Sequence, residues 1–208
     1  VDSSKVNLKE LVDENLSLGV HVIPGKFYIN DAFNYSGGLI NSLISLFYNK
    51  NIEDISKEDF ESFIKEAAEC KNKKEIKTNI LIGQNGDRLD NENIDNLNLL
   101  NIPLAADRGE VFMAAINYLC SKSSRIINDL ERILNKKFEL TAIGGSTKND
   151  LLMQEKANKL KKNIYINRIS EAVTLGAALL GGVGAGVFED YSKAVESINR
   201  DRKKVSFK

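Results

Sequence analysis

Apolar residues recur along the chain with two different spacings, and the switches between them mark out its elements. After a polar leader, Leu8, Leu11 and Val12 are spaced to begin a helix. Val20-His21-Val22-Ile23 and the run from Lys26 to Tyr35 are rich in β-formers and flank Pro24-Gly25, which predicts a hairpin. Gly37-Gly38 then opens Leu39, Ile40, Leu43, Ile44, Phe47 and Tyr48, whose spacing of three and four is helical. Ser56-Lys57-Glu58-Asp59 supplies a side-chain cap with an acid three residues on, and the helix it starts places Phe60, Phe63, Ile64 and Ala67 on one face. That helix fades in the charged run from Lys71 to Lys77. Asn79 to Ile82 reads as a short strand, whereas Gly83 to Asn101 is dominated by Asn, Asp and Gly and reads as an irregular surface segment. The longest helical pattern runs from about Ala105 to Asn135, with a bend expected near Ser121 to Ser124.

The final third alternates strand and helix. Phe138 to Ile143 is strand-like, Gly144-Gly145 a tight turn, Asn149 to Leu160 helical, Asn163 to Asn167 strand-like, and Ser170 to Gly182 a helix capped by Ser170. Such alternation implies parallel pairing with right-handed crossovers. With the early hairpin added as an antiparallel element, the expectation is an α/β fold with a mixed sheet flanked by helices.

Composition narrows the function without naming it. The 208 residues are enough to bury a sizeable core, and 42% hydrophobic with 28% charged residues fits neither a disordered nor a fibrous chain. Lys+Arg and Asp+Glu both number 29, so no long-range field draws the chain to nucleic acid or to a membrane surface. Cys70 and Cys120 fit no metal spacing and read as reduced thiols, which points to the cytoplasm. The longest charge-free stretch, Ala172 to Phe188, is shorter than the roughly 20 residues a membrane span needs and is interrupted by glycines. The start, Val1-Asp2-Ser3-Ser4-Lys5, has neither an initiator Met nor a signal-peptide pattern and reads as the beginning of a cut piece.

Glycine turns between strand and helix expose backbone donors to an anion, and three places invite that reading. Gly19 through Gly25-Lys26-Phe27 imitates a Walker loop, but the glycine spacing is one residue too long and Phe27 stands where a magnesium-binding hydroxyl is required, so a hairpin turn is the better account. The glycines from Gly176 to Gly186 never form G-x-G-x-x-G after a strand and serve helix packing. The third place is Leu140 to Asn149. There a strand delivers Gly144-Gly145 directly to a helix start, whose unpaired N–H groups and dipole face the turn, a geometry that suits a nucleotide.

Gly144-Gly145-Ser146, Asn149, Met153-Gln154, Ala157-Asn158, Ile164 to Ile166, Glu171-Ala172, Leu175-Gly176-Ala177-Ala178-Leu179 and Gly184 to Gly186 together resemble the carboxy-terminal lobe of FGGY carbohydrate kinases. The helix from Arg108 to Glu131 and the stretch Tyr28 to Phe47, with Ser36-Gly37-Gly38, are similar to upstream parts of the same lobe, so the resemblance covers about residues 18 to 198. It implies that residues 1–208 form one actin-like, ribonuclease H-like ATPase lobe, the second of two that close on ATP, Mg2+ and a sugar. By that resemblance Gly144 and Gly145 line the adenosine side, Asn149 contacts the nucleotide, and Gly37 with Asn41 lies near the phosphates or ribose. Asn41 stands where some relatives carry a longer polar residue. The implied partners are a small-molecule sugar and an N-terminal lobe of the same protein, with a homodimer left open and neither nucleic acid nor membrane involved. The stretch Gly83 to Arg88 and Asn98-Leu99 are similar to sedoheptulose- or xylulose-type kinases rather than glycerol kinases.

The resemblance also has gaps. The catalytic aspartate and the phosphate-binding hairpin of such kinases correspond to nothing in this sequence, so the chain alone is expected to be inactive and no residue in it is assigned to catalysis or to a metal. Asn158 stands at an often acidic position, which suits a helix-surface role. Each nucleotide residue has a plainer account: Gly37 starts a helix, Asn41 is solvated, Asn149 caps a helix. His21, the single histidine, alternates with apolar neighbours and has no ligand partners at metal spacing, so its role is structural. Glu171 complements a helix dipole, and the lysines between Lys156 and Lys162 form a solvated helix end. Two other functions stay open: a non-catalytic actin-like module that binds nucleotide or a partner protein, and a self-sufficient α/β binding domain.

Overall fold

The computed structural model describes residues 8–13, 16–31, 36–82, 96–167, 169, 171–198 and 201–208. In chain order the first elements are α1 (Leu8–Asp13), β1 (Ser17–Val20), β2 (Phe27–Asn30), α2 (Ser36–Tyr48), α3 (Lys57–Lys73), β3 (Asn79–Ile82), β4 (Leu97–Leu100) and α4 (Arg108–Ile133). There follow β5 (Leu140–Ala142), α5 (Asp150–Leu160), β6 (Ile164–Asn167), α6 (Ala172–Gly184), α7 (Tyr191–Glu196) and β7 (Arg202–Val205). The described residues divide into two compact units, one holding 8–17 and 30–134 and the other 18–29 and 135–208.

In the first of these units α2 buries Leu39, Ile40, Leu43 and Ile44, the face its spacing predicts. The predicted capping box begins α3: Asp59 N–H donates to Ser56 Oγ at 3.3 Å and Ser56 N–H donates back to Asp59 Oδ2 at 2.8 Å. The buried stripe of α3 is Phe63, Ala67 and Cys70; Phe60, one turn earlier, stays 37% exposed, so the expected face is shifted toward the middle of the helix. Helix α4 is buried continuously from Gly109 to Ile116. Phe112 sits at its centre, with ring centroids 4.4 Å from Phe63, 5.5 Å from Phe47 and 6.0 Å from Tyr48, the last two edge-on. A side chain at Gly109 would overlap the Glu66 carbonyl and lie 2.9 Å from Cys70 Cβ, so the close crossing of α3 and α4 requires glycine there. The bend expected near Ser121 to Ser124 is absent. Ser123 Oγ–H donates to the Leu119 carbonyl one turn back at 2.9 Å, yet the helix runs on unbroken, with Leu119, Cys120 and Ser124 buried so that tertiary packing overrides the weak local preference of serine.

Strand β3 pairs antiparallel with β4, Ile80 opposite Leu99. Ile80 and Ile82 are buried and Leu81 is half exposed, the alternation of a one-sided strand. The second strand corrects the sequence expectation. Leu97–Leu100 falls within the segment whose Asn, Asp and Gly content predicts irregular structure; pairing with β3 overrides that local preference. Residues 83–95 of that segment lie outside the described residues.

In the other unit β1 and β2 form the predicted hairpin, closed by His21 N–H to the Lys26 carbonyl at 2.9 Å and turned at Gly25 with φ 75°. His21 stands in the connection rather than in the strand, and its Nδ1 accepts the Ile23 N–H at 3.0 Å. The turn therefore consumes one imidazole nitrogen. The part of the expected second strand beyond Asp31, residues 32–35, lies outside the described residues.

The second sheet of this unit has the order β5-β6-β7, with β5 and β6 parallel and β7 antiparallel to β6. The sheet is mixed, as expected, but its antiparallel member is β7 and the hairpin is a separate two-stranded sheet. Sequence reading missed β7 because Arg202-Lys203-Lys204-Val205 buries only Val205, a pattern that edge position permits. Leu152, Met153, Ala157 and Leu160 of α5, Ile164 and Ile166 of β6, Val205 and Ala194 form this unit's core. Helix α6 carries no charge and none of its residues is buried; Glu171 occupies its N-cap without a side-chain bond, and the expected cap Ser170 lies outside the described residues.

Candidate functional site

The diglycine turn is set by backbone geometry. Gly144 has φ 89° and ψ −178°, a conformation essentially reserved to glycine. Its carbonyl accepts Thr147 N–H at 3.1 Å and Thr147 Oγ1–H at 2.7 Å, which winds Gly145–Lys148 into a single 3-10 turn. Asn149 ends that turn and caps α5, its Oδ1 accepting Leu152 N–H at 2.9 Å. Gly144 and Gly145 are both exposed, and a Cβ built on either meets no atom within 4 Å. The turn is thus open to a ligand, not plugged by side chains.

The structure therefore brings Gly144, Gly145 and Asn149 together at the end of β5. Gly37 and Asn41 lie on α2 in the other unit, Gly37 exposed with open space around it and Asn41 half-buried. The plainer accounts of Gly37 as a helix start and Asn149 as a cap describe what these residues do locally. Asn149 capping commits one amide oxygen; its amide nitrogen has no partner among the described residues.

A concave feature in the other unit was not read from the sequence. A cavity of about 620 Å³ lies within the unit of α2, α3 and α4, lined among others by Phe47, Glu66, Cys70, Leu99, Ile102 and Arg108. Arg108 forms a two-pronged pair with Glu66, Nε to Oε2 at 3.0 Å and Nη2 to Oε1 at 2.8 Å, and its guanidinium lies 4.9 Å from the Tyr48 ring centroid. Tyr48 Oη–H donates to Glu66 Oε1 at 3.1 Å; burial, then the Glu66 charge and this hydrogen bond, push its pKa up to about 12. Behind the wall, burial pushes the Cys70 thiol up, with the Asp107 charge adding to it. Burial would likewise raise Glu110, but hydrogen bonds from Lys77 and Thr78 and the Lys74 ammonium at 3.1 Å outweigh it, so its carboxyl lies below the ordinary range. An acid in the first turn of a helix reads as exposed, and nothing in its spacing distinguishes Glu110 from that common case. Among the described residues no group of three or more His, Cys, Asp or Glu is placed to hold a metal ion, and no helix is long and apolar enough to cross a membrane.

Comparison with known proteins identifies this arrangement. The model of the "FGGY family of carbohydrate kinases, C-terminal domain" matches residues 8–185, and the chain belongs to that family. Among curated relatives, L-fuculokinase of Haemophilus influenzae is 29% identical over 109 residues, covering 52% of this chain and 23% of that enzyme. Glycerol kinase of Bdellovibrio bacteriovorus is 32% identical over 99 residues, covering 46% and 20%. The matched segments thus span less than a quarter of the length of either relative. Among solved structures, the xylulose kinase of Rhodospirillum rubrum superimposes with TM-score 0.68 at 17% identity, covering 93% of this chain and 38% of that one. The Plasmodium falciparum glycerol kinase with ADP superimposes with TM-score 0.72 at 15% identity and the same coverages. The fold is accordingly the actin-like ATPase fold that the motif resemblance implied.

Proposed function

We propose that this chain is the nucleotide-binding, C-terminal lobe of an ATP-dependent kinase that phosphorylates a hydroxyl of a small sugar or polyol, a ketose being the favoured class. The observation that carries the reading is the open Gly144-Gly145 turn leading directly into the capped start of α5. Adenine nucleotide approaches this turn because two glycines leave its backbone uncovered, and Asn149 turns an amide donor to the ligand while its oxygen caps the helix. Gly37 and Asn41 are assigned to the phosphate or ribose side.

ATP supplies the transferable phosphoryl group. Open space around Gly144 and Gly145 supports seating its adenosine end against the backbone of that turn. Mg2+ belongs with the phosphates, and no residue of this chain is assigned to it. The catalytic aspartate that takes the sugar hydroxyl's proton is assigned to an N-terminal lobe of the same protein, and closure of that lobe excludes water and aligns the reactants. Names among the relatives and neighbours support the substrate class, with fuculokinase and xylulose kinase pointing to ketoses and glycerol kinase to a polyol.

The test is an amide NMR titration of the 208-residue chain with millimolar ATP. Shifts concentrated at Gly144 to Leu152 are expected, together with no turnover in a coupled assay containing ATP and a panel of ketoses and polyols. Shifts confined elsewhere, or robust turnover by the chain alone, would overturn the reading.

A further inference from the structure

Asp150, Gln154 and Asn158 stand at i, i+4 and i+8 on α5, one stripe along the helix. The segment Arg202–Lys208 grips all three. Lys203 Nζ lies 2.7 Å from Asp150 Oδ1, Gln154 Nε2–H donates to the Ser206 carbonyl at 2.8 Å, and Lys208 N–H donates to Asn158 Oδ1 at 2.9 Å. Gln154 Nε2–H also donates to Asn158 Oδ1 at 3.0 Å, which joins two of the contacts into one network.

Sheet register explains why this strand reaches that helix. Lys203 stands opposite Ile166, itself opposite Ala142, while Val205 stands opposite Ile164, itself opposite Leu140. Residues in one row share a face, and alternate rows share it too, so Lys203 and Val205 project to the side where Ile164 and Ile166 are buried. Lys204, between them, projects to the other side with Tyr165. Two ion pairs therefore leave β7 in different directions, Lys203 to Asp150 on α5 and Arg202 to Glu139 just before β5.

We infer that Arg202–Lys208 is a clasp that fixes α5 against the sheet, and that Lys203 is a positioning residue for the nucleotide turn; the second half rests on the nucleotide reading above. Asp150 directly follows Asn149. An uncompensated carboxylate there would repel the phosphates of an approaching nucleotide; Lys203 neutralises that charge and, by pairing with Asp150, ties the first turn of α5 to β7. The segment lies beyond residues 8–185, so the family match assigns it no role.

The test combines amide hydrogen exchange with ATP titration on the full chain. Leu152 N–H, bonded to Asn149 Oδ1, and Met153 N–H, bonded to the Asn149 carbonyl, report the first turn of α5 directly. In Lys203→Ala, exchange at these two amides is expected to rise about two- to fivefold and the ATP dissociation constant to rise by a similar factor, the scale of one exposed ion pair. Gln154→Ala, which removes two contacts of the network, should act in the same direction, whereas Lys203→Arg should restore both readouts. The melting temperature of Lys203→Ala should stay close to that of the unsubstituted chain, which separates loss of positioning from loss of fold. Unchanged exchange at Leu152 and Met153 in both alanine variants overturns the clasp. Faster exchange with unchanged ATP affinity overturns the positioning role. Failure of the unsubstituted chain to bind ATP overturns the nucleotide reading instead, and is distinguished because exchange is measured without nucleotide.

Discussion

Glu110 accepts the backbone N–H of Lys77 at 2.8 Å while its own side chain is entirely removed from solvent. The same oxygen accepts Thr78 N–H at 3.1 Å, and Lys74 Nζ lies 3.1 Å from the other. One carboxylate at the start of α4 therefore satisfies the chain leading into β3. Replacing it with Ala leaves two backbone donors and an ammonium without their acceptor, which should cost about 2–4 kcal/mol in a urea melt. Linkage gives the pH dependence. The folded pKa lies below the ordinary 4.5, so the stabilisation is complete above about pH 4.5 and is lost as pH falls through the depressed folded value. Glu110→Gln should flatten that acid limb, and a variant with an acid limb like the original's would refute the assignment.

The Tyr48 phenol shows the opposite sign. Burial and the Glu66 carboxylate hold it protonated to about pH 12 against an ordinary 10.0. Its contribution to stability is complete below pH 10 and is lost as pH rises through about 12. The difference in ultraviolet absorbance between the unsubstituted chain and Tyr48→Phe on alkaline titration should place one tyrosine near 12, and Glu66→Gln should bring that midpoint down. A midpoint near 10 in the unsubstituted chain would show that the phenol does not face Glu66 in solution.

How far such features could be read beforehand depends on whether the signal is local. The capping box at Ser56, the helix opened by Gly37-Gly38 and the diglycine turn after β5 are each encoded within a few neighbouring residues, and sequence reading found them. Strands β4 and β7 depend on partners supplied by β3 and β6, and their own residues argue against strand or against burial, so no local signal exists. Glu110, the Arg108–Glu66 pair and the Lys203–Asp150 pair join residues 32 to 53 positions apart and become visible only in the fold. The family resemblance singled out the Gly144-Gly145 turn because the motifs that carry it, from Gly144 to Gly186, lie in order within one short stretch of the chain.

Gly144 and Gly145 separate conformational need from ligand access. Gly144→Ala forces a side chain into φ 89°, and should cost about 1–3 kcal/mol whether or not a nucleotide binds. Gly145 has no such φ and its Cβ would meet open space, so Gly145→Ala should leave stability within about 0.5 kcal/mol. It does place a methyl group on the surface proposed for adenosine, and the ATP dissociation constant should rise at least several-fold. If calorimetry shows Gly145→Ala binding ATP as tightly as the original chain, the ligand does not lie against that turn.

Asn149 carries two duties that substitution can pull apart. Its oxygen caps α5 through Leu152 N–H at 2.9 Å, and its amide nitrogen is the donor proposed for the nucleotide. Asn149→Ala removes both and should destabilise the fold by about 1 kcal/mol as well as weakening ATP. Asn149→Asp keeps an acceptor at the cap and adds a charge that suits the helix dipole, so thermal stability should hold or rise slightly. It also removes the donor and sets a second carboxylate beside Asp150, where only Lys203 is placed to compensate among the described residues. ATP binding should therefore fall further in Asn149→Asp than in Asn149→Ala even though the fold is firmer, a reversal of order between melting temperature and affinity. Parallel losses in the two measurements would reduce Asn149 to a helix cap and take the amide contact out of the site.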